Sequence, residues 1–107
     1  MSPGLRRKLL ALAERHEEVG RLLAEPSVIA DNAKFRALSR EFSQLQPVAD
    51  ALAREAALQA DLREAEAMLA DPDLRAMAED ELPAIREALA ALDAELTTLL
   101  IPKDPRD

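Results

Sequence analysis

One histidine, three carboxylate pairs and one basic triplet are the residues of this chain whose types and spacing could do chemistry. His16 has the titration range of a general base and the ring nitrogens of a metal ligand. A metal site needs three or four convergent donors, and a chain with no Cys and no second His offers His16 no soft or imidazole partner. His16 also stands on an apolar stripe between Leu12 and Val19, where an imidazole packs against its neighbours. Glu17-Glu18, Glu64/Glu66 and Asp80-Glu81 are pairs of the kind acid–base chemistry uses. Nothing in the sequence gathers them into a cleft, and on helices this rich in charge they read as a solvated face. Arg6-Arg7-Lys8 could meet a phosphate, but a trio in the first turn of a helix is ordinarily its exposed side. Gly4 and Gly20 are the only glycines, which leaves no phosphate-cradling loop. The residues encode no catalytic centre, no cofactor site and no metal site.

The elements that carry these residues are helical. Leu and Ala supply 41 of the 52 apolar residues, whereas Val, Ile and Thr together number eight, so the apolar content favours helix over sheet. Ser2 before Pro3 reads as a helix cap and first helical position. Leu5, Leu9, Leu12, His16, Val19 and Leu23 then alternate spacings of four and three, the a/d seam of a coiled coil. Pro26 disfavours helix at Glu25 and opens an irregular connection, and Asp31 caps the next helix. From Phe35 a stripe runs through Leu38, Phe42, Leu45, Ala49, Leu52 and Ala56, then shifts phase through Leu58, Leu62, Ala65 and Leu69. Because the stripe keeps phase across Pro47, that proline predicts a kink and not a break. Asp71-Pro72 makes a corner, and a third seam follows at Leu74, Ala78, Leu82, Ile85, Leu89, Leu92, Leu96 and Leu99. Pro83 either sits in the first turn of a new helix capped by Asp80 or bends a continuous one.

The expected fold is all-α, an antiparallel three-helix arrangement in which a short helix packs on a long, coiled-coil-like hairpin. A first helix of about 22 residues rises roughly 33 Å, and a second of nearly forty rises close to 60 Å, at about 1.5 Å per residue. The first therefore covers only part of the hairpin. A three-helix core is expected near 31–50 and 86–100, with Leu9, Leu12, Leu38, Phe42, Leu89 and Leu92 buried together and Phe42→Ala costing about 3–5 kcal/mol. Beyond it a two-helix stalk should end at Asp71-Pro72-Asp73, and the C-terminus should lie beside the 24–31 connection.

Charge narrows the partners. The net charge is -7. Residues 1–53 carry eight Lys/Arg against seven Asp/Glu, and residues 54–107 carry six against fourteen. The acidic half repels phosphate backbones, and two phenylalanines with no Trp or Tyr make no stacking platform for single strands. Autonomous nucleic-acid binding is excluded on these grounds. The basic triplet precedes LLALA, a signal-like opening, but five apolar residues fall short of the roughly 7–15 of a secretory apolar region and Glu14 follows at once. No apolar run approaches the roughly 18 residues of a membrane span. The chain reads as soluble and cytoplasmic, with no membrane partner.

Four segments together carry a resemblance. RHEEV at 15–19, FRALSREFSQL at 35–45, MLADPDLRAMAEDEL at 68–82 and LLIPKDP at 99–105 are similar to the N-terminal domain of the bacterial peptide chain release factor 1 family, class I factors that end translation at UAA and UAG. The aspartate-proline corner and the proline-lysine-aspartate-proline exit are its most specific parts. The family reads the stop codon with a proline-x-threonine tripeptide and promotes peptidyl-tRNA hydrolysis with glycine-glycine-glutamine; neither occurs here. The resemblance thus implies one helical domain over 1–107, not itself an enzyme, with 102–107 a hinge toward a further domain. It also implies the ribosome as partner, at the large-subunit stalk base near ribosomal protein L11, together with the class II release-factor GTPase. The acidic stalk suits basic protein, so Glu66, Asp71, Asp73, Glu79 and Asp80 are the expected contact residues. A free-standing coiled-coil adaptor or chaperone-like hairpin is the alternative, and a reading frame that continues into the two missing motifs would eliminate it. Uncovered seam positions would also allow the isolated domain to self-associate.

Overall fold

The computed structural model describes residues 1–101; the expected hinge at 102–107 lies outside them. The chain forms four helices, α1 (Pro3–Leu22), α2 (Pro26–Ile29), α3 (Asn32–Met68) and α4 (Arg75–Leu99). Among the described residues there is no strand.

Local chemistry sets most of the helix starts. The Ser2 hydroxyl oxygen accepts the Leu5 N–H at 3.2 Å, and Pro3 follows where no intrahelical donor is needed. An Asp31 carboxylate oxygen accepts the Lys34 N–H at 3.1 Å and starts α3. Glu25 is extended, as the following proline requires. The connection expected to be irregular winds instead into the single turn α2, because Pro26 can occupy a first helical position and Val28 is drawn inward to 1% exposure.

Both interior prolines are accommodated. α3 passes through Pro47 and α4 through Pro83 without interruption. α4 begins at Arg75, two turns before Pro83, so Asp80 caps nothing and the continuous alternative holds. Each proline removes one N–H, from the carbonyls of Ser43 and Glu79, and both prolines face solvent, where water can satisfy those oxygens.

Helix length then dictates the tertiary layout. At about 1.5 Å per residue, α1, α3 and α4 are roughly 30, 55 and 37 Å long. α1 runs antiparallel to α3: Arg15 pairs with Glu41, His16 with Gln46, and Arg6 with Glu55. α4 returns antiparallel along the other end of α3, where Arg54 meets Glu95 at 2.8 Å. The two shorter helices are thus staggered along α3. All three overlap only around Leu9, Val48, Ala51, Leu92 and Leu96. The result is a body of 61 × 36 × 22 Å with a radius of gyration of 18.8 Å, against about 13 Å for a compact chain of this length.

This stagger corrects two expectations. α4 is too short to reach the 24–31 connection, and its last turns pack beside the start of α1, where the Met1 ammonium lies 3.6 Å from Asp93. The core is also divided. Leu9 and Leu92 belong to the central cluster with Leu12 at its edge, whereas Leu38 packs with Val19 and Val28, flanked by Phe42. Leu89 is half-buried and joins neither. Phe42 is half-buried as well, so its truncation costs less than the 3–5 kcal/mol expected of a core phenylalanine.

Gly20 faces that second cluster from α1. A Cβ placed there would lie 3.4 Å from Phe42 Cε2, the near edge of ordinary contact, and its backbone has no positive φ. Gly20→Ala is therefore expected to stabilise the protein by about 0.5–1 kcal/mol through helix propensity. The thermal midpoint should rise by about 3–6 °C; a fall would show that the Phe42 ring has no room to yield.

Candidate functional site

The free end of the α3–α4 hairpin is built by local hydrogen bonds. The Asp71 carbonyl accepts the N–H groups of Leu74 and Arg75, at 3.1 and 3.0 Å. The Asp71 carboxylate accepts the Asp73 N–H at 2.9 Å, an Asx turn. Arg75 reaches back across the corner, its Nε donating to the Leu69 carbonyl at 3.1 Å. Asp71 is therefore a turn-former as well as a surface charge. Glu66, Asp73, Glu79 and Asp80 are exposed, as is Asp71, and no ion pair among the described residues engages any of the five.

A little inward from the corner, the facing sides of the two helices leave a groove of about 450 Å3. Its floor is Ala65, 1% exposed, between Met68 and Ile85; Met77 stands at its lip, 53% exposed. Asp61, Glu64 and Glu81 form its rim. Helical spacing explains the set: 61, 64, 65 and 68 share one face of α3, and 77, 81, 84 and 85 one face of α4. Glu64 and Glu81 were legible as carboxylates on a solvated face, but Met68 and Met77 lie off the seam read from the sequence. Of the five expected contact residues, none lines the groove.

Away from the stalk, several titratable side chains are partners in structural pairs. Arg6 donates two hydrogen bonds to the Glu55 carboxylate, one at 2.8 Å, and Glu55 is only 8% exposed. These bonds hold the Glu55 carboxyl below the usual carboxylate range, burial opposing them, and raise the Arg6 guanidinium above its own ordinary value. Arg15 binds Glu41 at 2.5 and 2.9 Å and Glu18 at 3.0 Å. The hydrogen bond from Arg15 depresses Glu41 in the same way. His16 stacks on Phe42 with centroids 4.2 Å apart and planes at 22°. Its Nε2 lies 3.0 Å from Gln46 Oε1, and the Gln46 amide nitrogen donates to Asp50 at 2.8 Å. With the Gln46 amide so oriented, its oxygen accepts and the imidazole donates. His16 thus packs on α3, in the role its seam position suggested. Among the described residues no three Asp, Glu or His converge as a metal site, and no helix is long and apolar enough to cross a membrane. No buried side-chain nitrogen or oxygen among them is left without a partner.

Fold and surface together define an elongated helical module whose α1–α3 and α3–α4 faces carry ion pairs and whose hairpin end carries exposed carboxylates that none of those pairs engages. The PCRF domain, as a family model, matches residues 12–107. Over all 107 residues the chain is 51% identical to peptide chain release factor 1 of Xylella fastidiosa (strain 9a5c), and it spans 30% of that protein's length. The chain belongs to the PCRF-domain family of peptide chain release factors, and its relationship to release factor 1 bears out the resemblance to the N-terminal domain of that factor.

Proposed function

We propose that this chain is the docking domain of a translation termination factor that acts on the ribosome, and that it reaches its partners with the free end of the α3–α4 hairpin. The proposed partners are the stalk base of the large subunit, in the region of ribosomal protein L11, and the class II release-factor GTPase. Codon reading and peptidyl-tRNA hydrolysis are assigned to other parts of the full-length factor, since this chain contains neither a proline-x-threonine nor a glycine-glycine-glutamine motif. We assign residues 1–107 to a single domain and 102–107 to its connection with the next. The observation that carries the reading is the unpaired acidic corner at Glu66, Asp71, Asp73, Glu79 and Asp80, on a chain of this family.

The test replaces Asp71, Asp73 and Asp80 together by asparagine in the full-length factor. Asparagine preserves the Asx turn at position 71, because its side-chain oxygen still accepts the Asp73 N–H. Exposed charges contribute little to folding, so the thermal melt of the domain should stay within about 2 °C of the parent. Peptide release and GTPase-stimulated recycling on ribosomes should slow, most strongly at low salt, where charge steering is least screened. Release kinetics and salt dependence that match the parent would reduce the five carboxylates to a solvated face.

A further inference from the structure

We propose that the stalk groove between α3 and α4 is a docking slot for a basic amphipathic helix of a protein partner, which inserts an aliphatic side chain over Ala65 and sets Lys or Arg against Asp61, Glu64 and Glu81. This deepens the docking reading and rests on it for location only. It moves the point of specificity from the tip carboxylates to a different set of residues.

Four observations commit the groove to that occupant. Its volume of about 450 Å3 lies within the range of about 300–1,000 Å3 typical of sites that bury a ligand group. Its lining is apolar at the bottom and acidic at the rim, the complement of a helix with aliphatic residues on one face and cations flanking them. Between 61 and 85 the hairpin carries eight carboxylates against two arginines and no lysine, so the field around the groove attracts a cationic segment and repels nucleic-acid phosphate. Met77 is half-exposed on this rim with no core to fill, and methionine's flexible thioether adapts to a partner surface.

The chain supplies its own reporters, because Met68 and Met77 line the groove and the only other methionine is Met1. The 107-residue chain, labelled at the methionine ε-methyl carbons, is titrated with a synthetic helix of Lys, Arg, Leu and Ala bearing its leucines on one face. Controls are a peptide of the same composition with scattered leucines and an RNA hairpin. The Met68 and Met77 signals should shift saturably while Met1 stays still, and the scattered peptide should bind about tenfold more weakly. Met77→Ser, and separately Glu64→Gln with Glu81→Gln, should each weaken binding by about five- to tenfold with circular dichroism unchanged. The proposal is overturned if no methyl shifts at millimolar peptide, if Met1 moves equally, or if the scattered peptide or the RNA does as well. It is overturned equally if the groove methyls shift with protein concentration alone, which would give the slot to a second copy of the chain. Peptide binding is read independently of release kinetics, so its failure leaves the tip carboxylates to be judged by their own experiment.

Discussion

Leu9→Ala should lower the stability of the domain by about 3–4 kcal/mol, the range for a fully buried leucine, and its thermal midpoint by about 12–25 °C. Leu9 has no exposed surface and sits where α1, α3 and α4 overlap, against Val48, Ala51, Leu92 and Leu96. An elongated body has few such places, so the void cannot be closed by a neighbouring layer of core. The loss is a large fraction of the roughly 5–15 kcal/mol that holds a typical domain. Leu10, one residue on and 48% exposed, is the control; its alanine variant should change stability by about 0.5 kcal/mol or less. Equal melts for the two variants would mean that α1 packs with a different face.

What could be read from the sequence was what is locally determined. Ser2 and Asp31 cap their helices because a side-chain oxygen three residues ahead of a free N–H is a local geometry. The α4 seam runs through Ala78, Leu82, Leu92 and Leu96 as its spacing indicated, since leucines repeated at four and three leave no other face to bury. The α3 seam was misjudged in its middle. The sequence pattern continues the stripe past Pro47 through Ala49 and Ala56, whereas the buried positions are Val48, Ala51 and Glu55, in phase with Leu58, Leu62, Ala65 and Leu69. Alanine is common on both faces of these helices and marks neither, while a glutamate in the seam hid the true phase. Its partner Arg6 lies 49 residues away, a pairing that no local pattern encodes.

The same limit applies to the candidate site. An acidic hairpin end follows from composition and a turn signal, both visible in the chain. The groove depends on which faces of α3 and α4 are brought opposite each other, a tertiary relation that no local pattern in the chain encodes. Register, too, was beyond helix lengths alone: a 25-residue α4 could have lain anywhere along the 37 residues of α3 until the corner at 69–74 fixed one end.

Glu55 gives the second large expectation, because a carboxylate in a helical seam is tolerable only while Arg6 answers it. Arg6→Met removes the partner and leaves an ionised group only 8% exposed. Breaking a fully buried pair costs about 3–5 kcal/mol; the Arg6 side chain is 34% exposed, so about 2–4 kcal/mol at pH 7 is expected here. Arg7→Met, exposed and unpaired among the described residues, should cost almost nothing. The pH dependence should also change sign. In the parent, Arg6 holds Glu55 below the ordinary carboxylate value of about 4.5. The folded state then binds fewer protons than the unfolded state, so the pair's contribution is complete above that value and is lost as pH falls through the folded one. In Arg6→Met only burial acts on Glu55. Its carboxyl rises above the unfolded value, the folded state binds the extra proton, and stability falls as pH rises through that window. Thermal melts between pH 4 and 7 should therefore show the variant gaining on the parent as the solution is acidified, against an Arg15–Glu41 background common to both. The double variant Arg6→Met/Glu55→Leu should return to within about 1 kcal/mol of the parent, since an apolar pair needs no compensation. Parallel pH profiles for parent and Arg6→Met would place the pair on the surface and return Glu55 to the solvated face that its residue type alone suggests.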